Sequence, residues 1–208
     1  MRISDLQEFS TTSKKVERIL KTKGYKKLGA GVDQTAYLEP STGLVLKVFG
    51  TQGGKSFSPD HRMFFAWAKY CMKNSKNPFL PKFGGYESFV LDGDRYLQIR
   101  QELLKPAGRV GFLLGLFSEV VDGEEGTTLQ DAEDYVAGSY PSYIPDLQKL
   151  KNQLGPKGLQ LLFSTMQTVY LKGTRRGYTF DLHAGNFMTR SDGTPVIVDP
   201  WVMDNDSW

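Results

Sequence analysis

Asp181 and Asn186 stand close together in the stretch Tyr178-Thr179-Phe180-Asp181-Leu182-His183-Ala184-Gly185-Asn186-Phe187-Met188, and Asp199 ends the run Val196-Ile197-Val198-Asp199. The apolar runs 186–190 and 195–199 are separated by Ser191-Asp192-Gly193, so the pattern predicts a β-hairpin. One end of that hairpin then carries two carboxylates and an amide. Phosphoryl transfer needs such a set: one carboxylate to orient the attacking hydroxyl, and an amide with a second carboxylate to hold Mg²⁺.

The elements that must position these groups are legible from periodicity. Leu159, Leu162, Phe163, Met166, Val169 and Tyr170 recur at helical spacing and predict a buried helix that Gly173 ends just before the polar loop. Upstream, Tyr25–Leu28, Gln34–Leu38 and Leu44–Phe49 predict a three-stranded antiparallel meander whose first turn holds Gly29-Ala30-Gly31. Ser58 and Pro59 suit a helix start, and Met63, Trp67, Tyr70 and Cys71 give that helix, ending near Asn74, one apolar face. Phe83–Val90 and Arg95–Gln101 predict two more strands, and residues 102–109 read as a linker broken by Pro106 and Gly108. Residues 3–23 predict a basic helix ended by Gly24, with a solvated face or a docking surface for an acidic partner as its two readings. Residues 122–155 show no clear period, and the Ser, Thr and Tyr of 127–143 suggest a phosphorylated loop or lid.

Taken together, the order of these motifs resembles the protein-kinase-like superfamily. Gly29-Ala30-Gly31-Val32-Asp33-Gln34 resembles its glycine-rich loop, with Gln34 where a third glycine would stand. Val45-Leu46-Lys47-Val48 resembles the strand that carries the nucleotide-binding lysine. Asp181-x-x-x-x-Asn186 and the following Asp199 match the catalytic loop and the metal-binding aspartate in spacing. The resemblance implies ATP and Mg²⁺ as cofactors, Asp181 orienting the acceptor hydroxyl, and Asn186 and Asp199 holding the metal. It also implies Gly29, Gly31, Lys47 and Glu102 around the nucleotide. His183 is named with Asp181 as a catalytic candidate: it either touches the γ-phosphate or orders the loop, and a structural role is equally open. Trp201 and Trp208 read as packing groups. The family's helix glutamate is missing, since no carboxylate occurs between Asp60 and Glu87. Lys47 is therefore expected to pair with Asp60, with Asp199 or with phosphate, or else to face solvent.

Asp-Leu-His-x-Gly-Asn and Asp199-Pro200 depart from typical protein kinases; the first is shared with aminoglycoside and choline-type phosphotransferases and other atypical kinases, and the two together resemble the compact kinases of short-tailed bacteriophages. That resemblance implies an α+β, two-lobed protein-kinase-like fold, with a five-stranded antiparallel N-lobe over 25–105 and a reduced helical C-lobe over 106–208; the basic helix over 1–24 that precedes it is read from its own residues. With Trp208 the last residue, an activation segment and a peptide-binding subdomain are expected to be absent. It further implies a serine/threonine protein kinase acting on host proteins in the host cytoplasm. Two rivals stand beside it: a small-molecule kinase of the aminoglycoside or choline type, and an inactive kinase-shaped protein that blocks a host factor by contact.

Composition narrows the classes. The 208 residues suit one core or two small lobes, and 39% hydrophobic with 24% charged residues is ordinary for a globular protein. A net charge of +3 does not point to nucleic acid. One cysteine excludes an intrachain disulfide framework and fits a reducing compartment. The most apolar stretch, Val110 to Val121, is interrupted by Gly111, Gly115, Ser118 and Glu119, so no membrane span is expected.

Overall fold

Period-two alternation builds the first half of the molecule. In the computed structural model, which describes residues 14–30, 34–50, 59–123 and 126–203, with all of these side chains except those at 59, 60, 123 and 203, five antiparallel strands form one sheet. They are β1 (Lys26–Ala30), β2 (Thr35–Leu38), β3 (Val45–Gly50), β4 (Phe83–Leu91) and β5 (Asp94–Gln101), in the order β1-β2-β3-β5-β4. The turn from β4 to β5 is Asp92-Gly93, with φ of 55° and 86°. Two left-handed residues in a row match the twist of the strands they join.

Successive residues of β3 face opposite ways, so each side of the sheet gathers its own core. Leu46 and Val48 pack with Tyr37, Tyr96 and two residues of α1 (Lys14–Thr22), Val16 and Leu20. Phe49 and Ile99 pack with Phe64, Phe65 and Ala68 of α2 (Pro59–Lys73). The end of α1 follows the expectation for Gly24. Its φ is +81°, its N–H bonds the Lys21 carbonyl at 3.0 Å, and the Tyr25 N–H bonds the Leu20 carbonyl at 3.0 Å. These two reversed bonds stop a helix cleanly, and glycine adopts the required conformation without a Cβ clash. The predicted helical residues 3–13 lie outside the described residues. Cys71 is buried in α2, which pushes its thiol upward and keeps it neutral.

The chain divides into two compact units, Met1–Lys73 with Lys82–Leu103, and Asn74–Pro81 with Leu104–Trp208. The second is mostly helical: α3 (Arg109–Gly123), α4 (Leu129–Ser139) and α5 (Ile144–Thr174). Leu113 and Phe117 of α3, Val136 of α4, and Leu159, Leu162, Phe163 and Met166 of α5 are buried. Phe117 and Phe163 meet edge to face, with centroids 6.2 Å apart. Two small sheets complete this unit. One orders β6 (Lys105–Pro106), β8 (Phe187–Thr189) and β9 (Pro195–Ile197), and the other pairs β7 (Tyr178–Phe180) with β10 (Trp201–Met203).

The expectation of a five-stranded antiparallel sheet followed by helices holds. Two local expectations do not. Part of the predicted linker is β6, an edge strand where Pro106 needs no N–H partner. The polar stretch 127–143 is no loop. Thr128 and Asp131 form a reciprocal capping box, and α4 follows from it. α5 also begins earlier than its apolar period, at Ile144, and turns sharply at Gly155 (φ 66°) before Pro156. No helix among the described residues is long and apolar enough to cross a membrane.

Candidate active site

The loop between β7 and β8 is held at both ends by backbone bonds. Asp181 N–H bonds the Pro200 carbonyl at 2.9 Å, and Val198 N–H bonds the Asn186 carbonyl at 2.8 Å. Asp199 lies between Val198 and Pro200, so both of its neighbours are tied to the ends of this loop. Its backbone sits at φ +50°, a conformation that costs most residues energy and that aspartate tolerates better. Asp181, Asn186 and Asp199 are thus brought to one region, as the hairpin pattern predicts, with Phe187 opposite Ile197 in the register.

Within the loop, the Asn186 amide nitrogen donates to the Asp181 carbonyl at 2.5 Å and lies 3.4 Å from its carboxylate. That commits Nδ2 and leaves Oδ1 as the end suited to a cation. Asp199 would add a carboxylate oxygen. Among the described residues, no three His, Cys, Asp or Glu side chains gather as a metal cage. An amide oxygen plus one carboxylate is nevertheless a fitting set for Mg²⁺, a hard cation that completes its shell with water and substrate phosphate.

His183 accepts a bond from Gly185 N–H at Nδ1, 3.0 Å away. Its Nε2 is then the protonated nitrogen of the neutral ring, and it lies 3.8 Å from the Asp181 carboxylate. Of the readings open for His183, this geometry supplies the ordering contact. A side chain at Gly185 would meet the ring at 2.7 Å, so only glycine lets the histidine fold over it.

The platform beneath the loop is α3. A Cβ at Gly111 would stand 2.8 Å from the Ala184 carbonyl oxygen, and one at Gly115 would stand 3.3 Å from the Ala184 nitrogen. One turn further, the Ser118 hydroxyl is 2.5 Å from the Leu182 carbonyl and 2.7 Å from its own helix's Gly115 carbonyl. These small residues recur every three or four positions and form one strip of the helix. The loop backbone lies directly on that strip. Sequence reasoning used Gly111, Gly115 and Ser118 only to argue against a membrane span. Their spacing was the available signal.

Trp201 is 2% exposed and donates to the Val169 carbonyl at 3.0 Å, a packing role as expected. Gly173 makes room for it: a Cβ there would meet its indole at 2.5 Å. Trp208 lies outside the described residues.

The other predicted residues belong to the first unit. Register places Gly29 opposite Ala36, Ala36 opposite Lys47, and Lys47 opposite Ile99. Directly opposed residues share a face, so Lys47 shares its side of the sheet with two very small neighbours. The Lys47 ammonium lies 4.7 Å from the centroid of Phe64 on α2. Glu102 accepts from the Lys82 N–H at 2.8 Å, and its own N–H bonds the Lys82 carbonyl at 2.9 Å. Its carboxylate therefore closes the end of the β4–β5 ladder. Gly31 lies outside the described residues.

One further charged cluster escaped the sequence reading. Glu39 is buried and accepts from Tyr25 at 2.6 Å, Thr42 at 2.5 Å and Arg100 at 3.2 Å. The Thr42 and Tyr25 hydroxyls and then Arg100 hold its carboxyl below the ordinary range.

No family model matches the chain, and no curated protein matches it. Among solved structures it is similar to "ROP18 kinase domain in complex with AMP-PNP and sucrose", at 16% sequence identity and a TM-score of 0.40. The match covers 98% of this chain and 64% of that one, so the chain spans less than two thirds of its neighbour.

Proposed function

We propose that the chain is an ATP- and Mg²⁺-dependent phosphotransferase that acts on serine or threonine hydroxyls of proteins. The observation that carries this reading is the loop 181–186. It presents a half-exposed carboxylate, an amide fixed beside it, and a second carboxylate whose backbone neighbours are bonded to both loop ends.

On this reading the acceptor oxygen attacks the γ-phosphorus of ATP, a new P–O bond forms, and the bond to the β-phosphate oxygen breaks, releasing ADP. The acceptor proton passes toward the Asp181 carboxylate and then to solvent. Asn186 and Asp199 would hold Mg²⁺, which neutralises phosphate charge when bound. His183 keeps the loop in shape. Lys47 belongs to the other unit, and its assignment to the nucleotide rests on its place in the sequence pattern. The finer reading, a compact bacteriophage kinase that modifies host proteins, rests on the residues Asp181-Leu182-His183-Ala184-Gly185-Asn186 and Asp199-Pro200.

Incubation with γ-labelled ATP and a bacterial lysate tests the proposal. Label is expected in protein, and Asp181→Asn is expected to abolish it while leaving ATP binding. Equal labelling by wild type and by both Asp181→Asn and Asp199→Asn would overturn the assignment. A second reading, a small-molecule acceptor, is favoured by the groove beside Asp181, whose volume of about 500 Å³ is in the range of metabolite sites. Label in metabolites instead of protein would select it.

A further inference from the structure

The groove beside Asp181 has a wall of its own. It runs between α3 and the segment 180–184, and its lining includes Phe112, Leu116, Glu119, Asp122, Asp181 and His183. Two carboxylates of α3 thus share it with the carboxylate assigned to the acceptor hydroxyl. Among the described residues that line it there is no lysine or arginine. Glu119 is held in place by the Tyr135 hydroxyl, which donates to it at 2.7 Å. Phe112 lies with 58% of its surface exposed, although it belongs to an apolar helix. An exposed aromatic face beside carboxylates attracts a cation on two counts, through the ring quadrupole and through Coulomb attraction.

We propose that this groove binds the acceptor, and that Glu119, Asp122 and Phe112 make it select a hydroxyl carried next to positive charge. The inference rests on the phosphotransfer reading for the identity of the reacting group, but the groove's preference for cations stands on its lining alone. In a protein acceptor that charge is arginine or lysine near the serine or threonine. In a small acceptor it is a protonated amine near an alcohol. Asp122 and Glu119 act here as selecting groups and take no part in the bond that forms.

Three acceptors distinguish the sources: a serine peptide flanked by arginines, the same peptide flanked by glutamates, and glucosamine. The wild-type kcat/KM is expected to favour the basic peptide over the acidic one by at least about tenfold. In Glu119→Gln/Asp122→Asn that ratio is expected to fall about tenfold, mainly through KM, which is the size of two exposed ion pairs acting together. A better rate with glucosamine than with the basic peptide would support the cation preference and assign it to a small acceptor. Equal use of basic and acidic peptides, or a ratio untouched by the double variant, would overturn the inference.

Binding of fluorescent peptides with alanine in place of the serine separates this from the parent reading. If the basic alanine peptide binds selectively and the double variant loses that selectivity, the groove is assigned correctly even where no phosphate is transferred. If phosphate is transferred but neither peptide set shows charge preference, the activity stands and the inference falls.

Discussion

Glu39 in the first unit keeps 7% of its side chain exposed and is held by two hydroxyls and a guanidinium. Asp181 in the second keeps 44% exposed, with an amide 3.4 Å away and an imidazole 3.8 Å away. The two groups have the same chemistry and opposite surroundings. Glu39 has its acceptor sites filled from within its own unit, so its charge stabilises that unit and can do little else. Asp181 has its backbone fixed and its carboxylate left open. A buried polar group that is fully satisfied belongs to the fold. A carboxylate whose main chain is rigid and whose oxygens still face solvent is placed for a ligand.

Four variants break or sharpen this contrast. Asp181→Asn is expected to lower phosphate transfer by about 10²–10⁴-fold, the usual reach of a positioned base. Its chemical denaturation midpoint should stay near wild type. A large stability loss instead would make Asp181 a second Glu39. Gly111→Ala comes next. The added Cβ meets the Ala184 carbonyl oxygen at 2.8 Å, so the loop must move. A displacement of about 1 Å is enough to lower kcat about 100-fold, while helix propensity alone favours alanine by about 1 kcal/mol. Steady-state kinetics and thermal melts on the same sample separate the two effects.

Glu39→Gln is expected to destabilise by about 2 kcal/mol in urea denaturation at pH 7, the scale of lost hydrogen bonds to a charged group, with kcat changed less than twofold. The loss should depend on pH. Glu39 in the fold titrates below its ordinary value near 4.5, so its ionised contribution is complete above that value and is lost as pH falls through the lowered one. The gap between wild type and variant should therefore narrow on acidification. A gap that widened would reverse the assigned shift. Ser118→Ala is the mildest, at about 1 kcal/mol for one hydrogen bond, and its effect on kcat should be smaller than that of Gly111→Ala because nothing is pushed.

The legible parts of this molecule were those set by local rules. Gly24 ended a helix, and the spacing of Leu159 through Tyr170 marked the core face of α5. The hairpin 186–199 was legible too, because its turn residues and apolar runs are adjacent in sequence. What remained hidden depends on partners far along the chain. β6 exists only because β8 lies beside it. β7 pairs with β10 across the whole hairpin. Glu39 finds Arg100 from 61 positions away, and a lone glutamate before Pro40 carries no mark of that. α4 was missed because few apolar residues, Ala132 and Val136, are buried on it, and its signal was the Thr128–Asp131 cap. For the candidate site, the residues proposed to carry chemistry, Asp181, Asn186 and Asp199, stood out by their spacing. The support was not, because glycines in an apolar helix read as interruptions until the loop that lies on them is known.

Residues 74–81 sit in sequence between α2 and β4 yet belong to the second unit. Asn77 donates to Thr165, the Phe79 carbonyl accepts from Ile197, and Arg190 reaches the carbonyls of Pro78 and Leu80. The two units are therefore interleaved along the gene and cannot be separated by a single cut. A fragment beginning at Leu104 would lack the segment that completes the open side of β9, and a fragment ending at Leu103 would carry that segment with nothing to receive it. Grafting the 181–199 loop into another scaffold would need these eight residues supplied as a second piece.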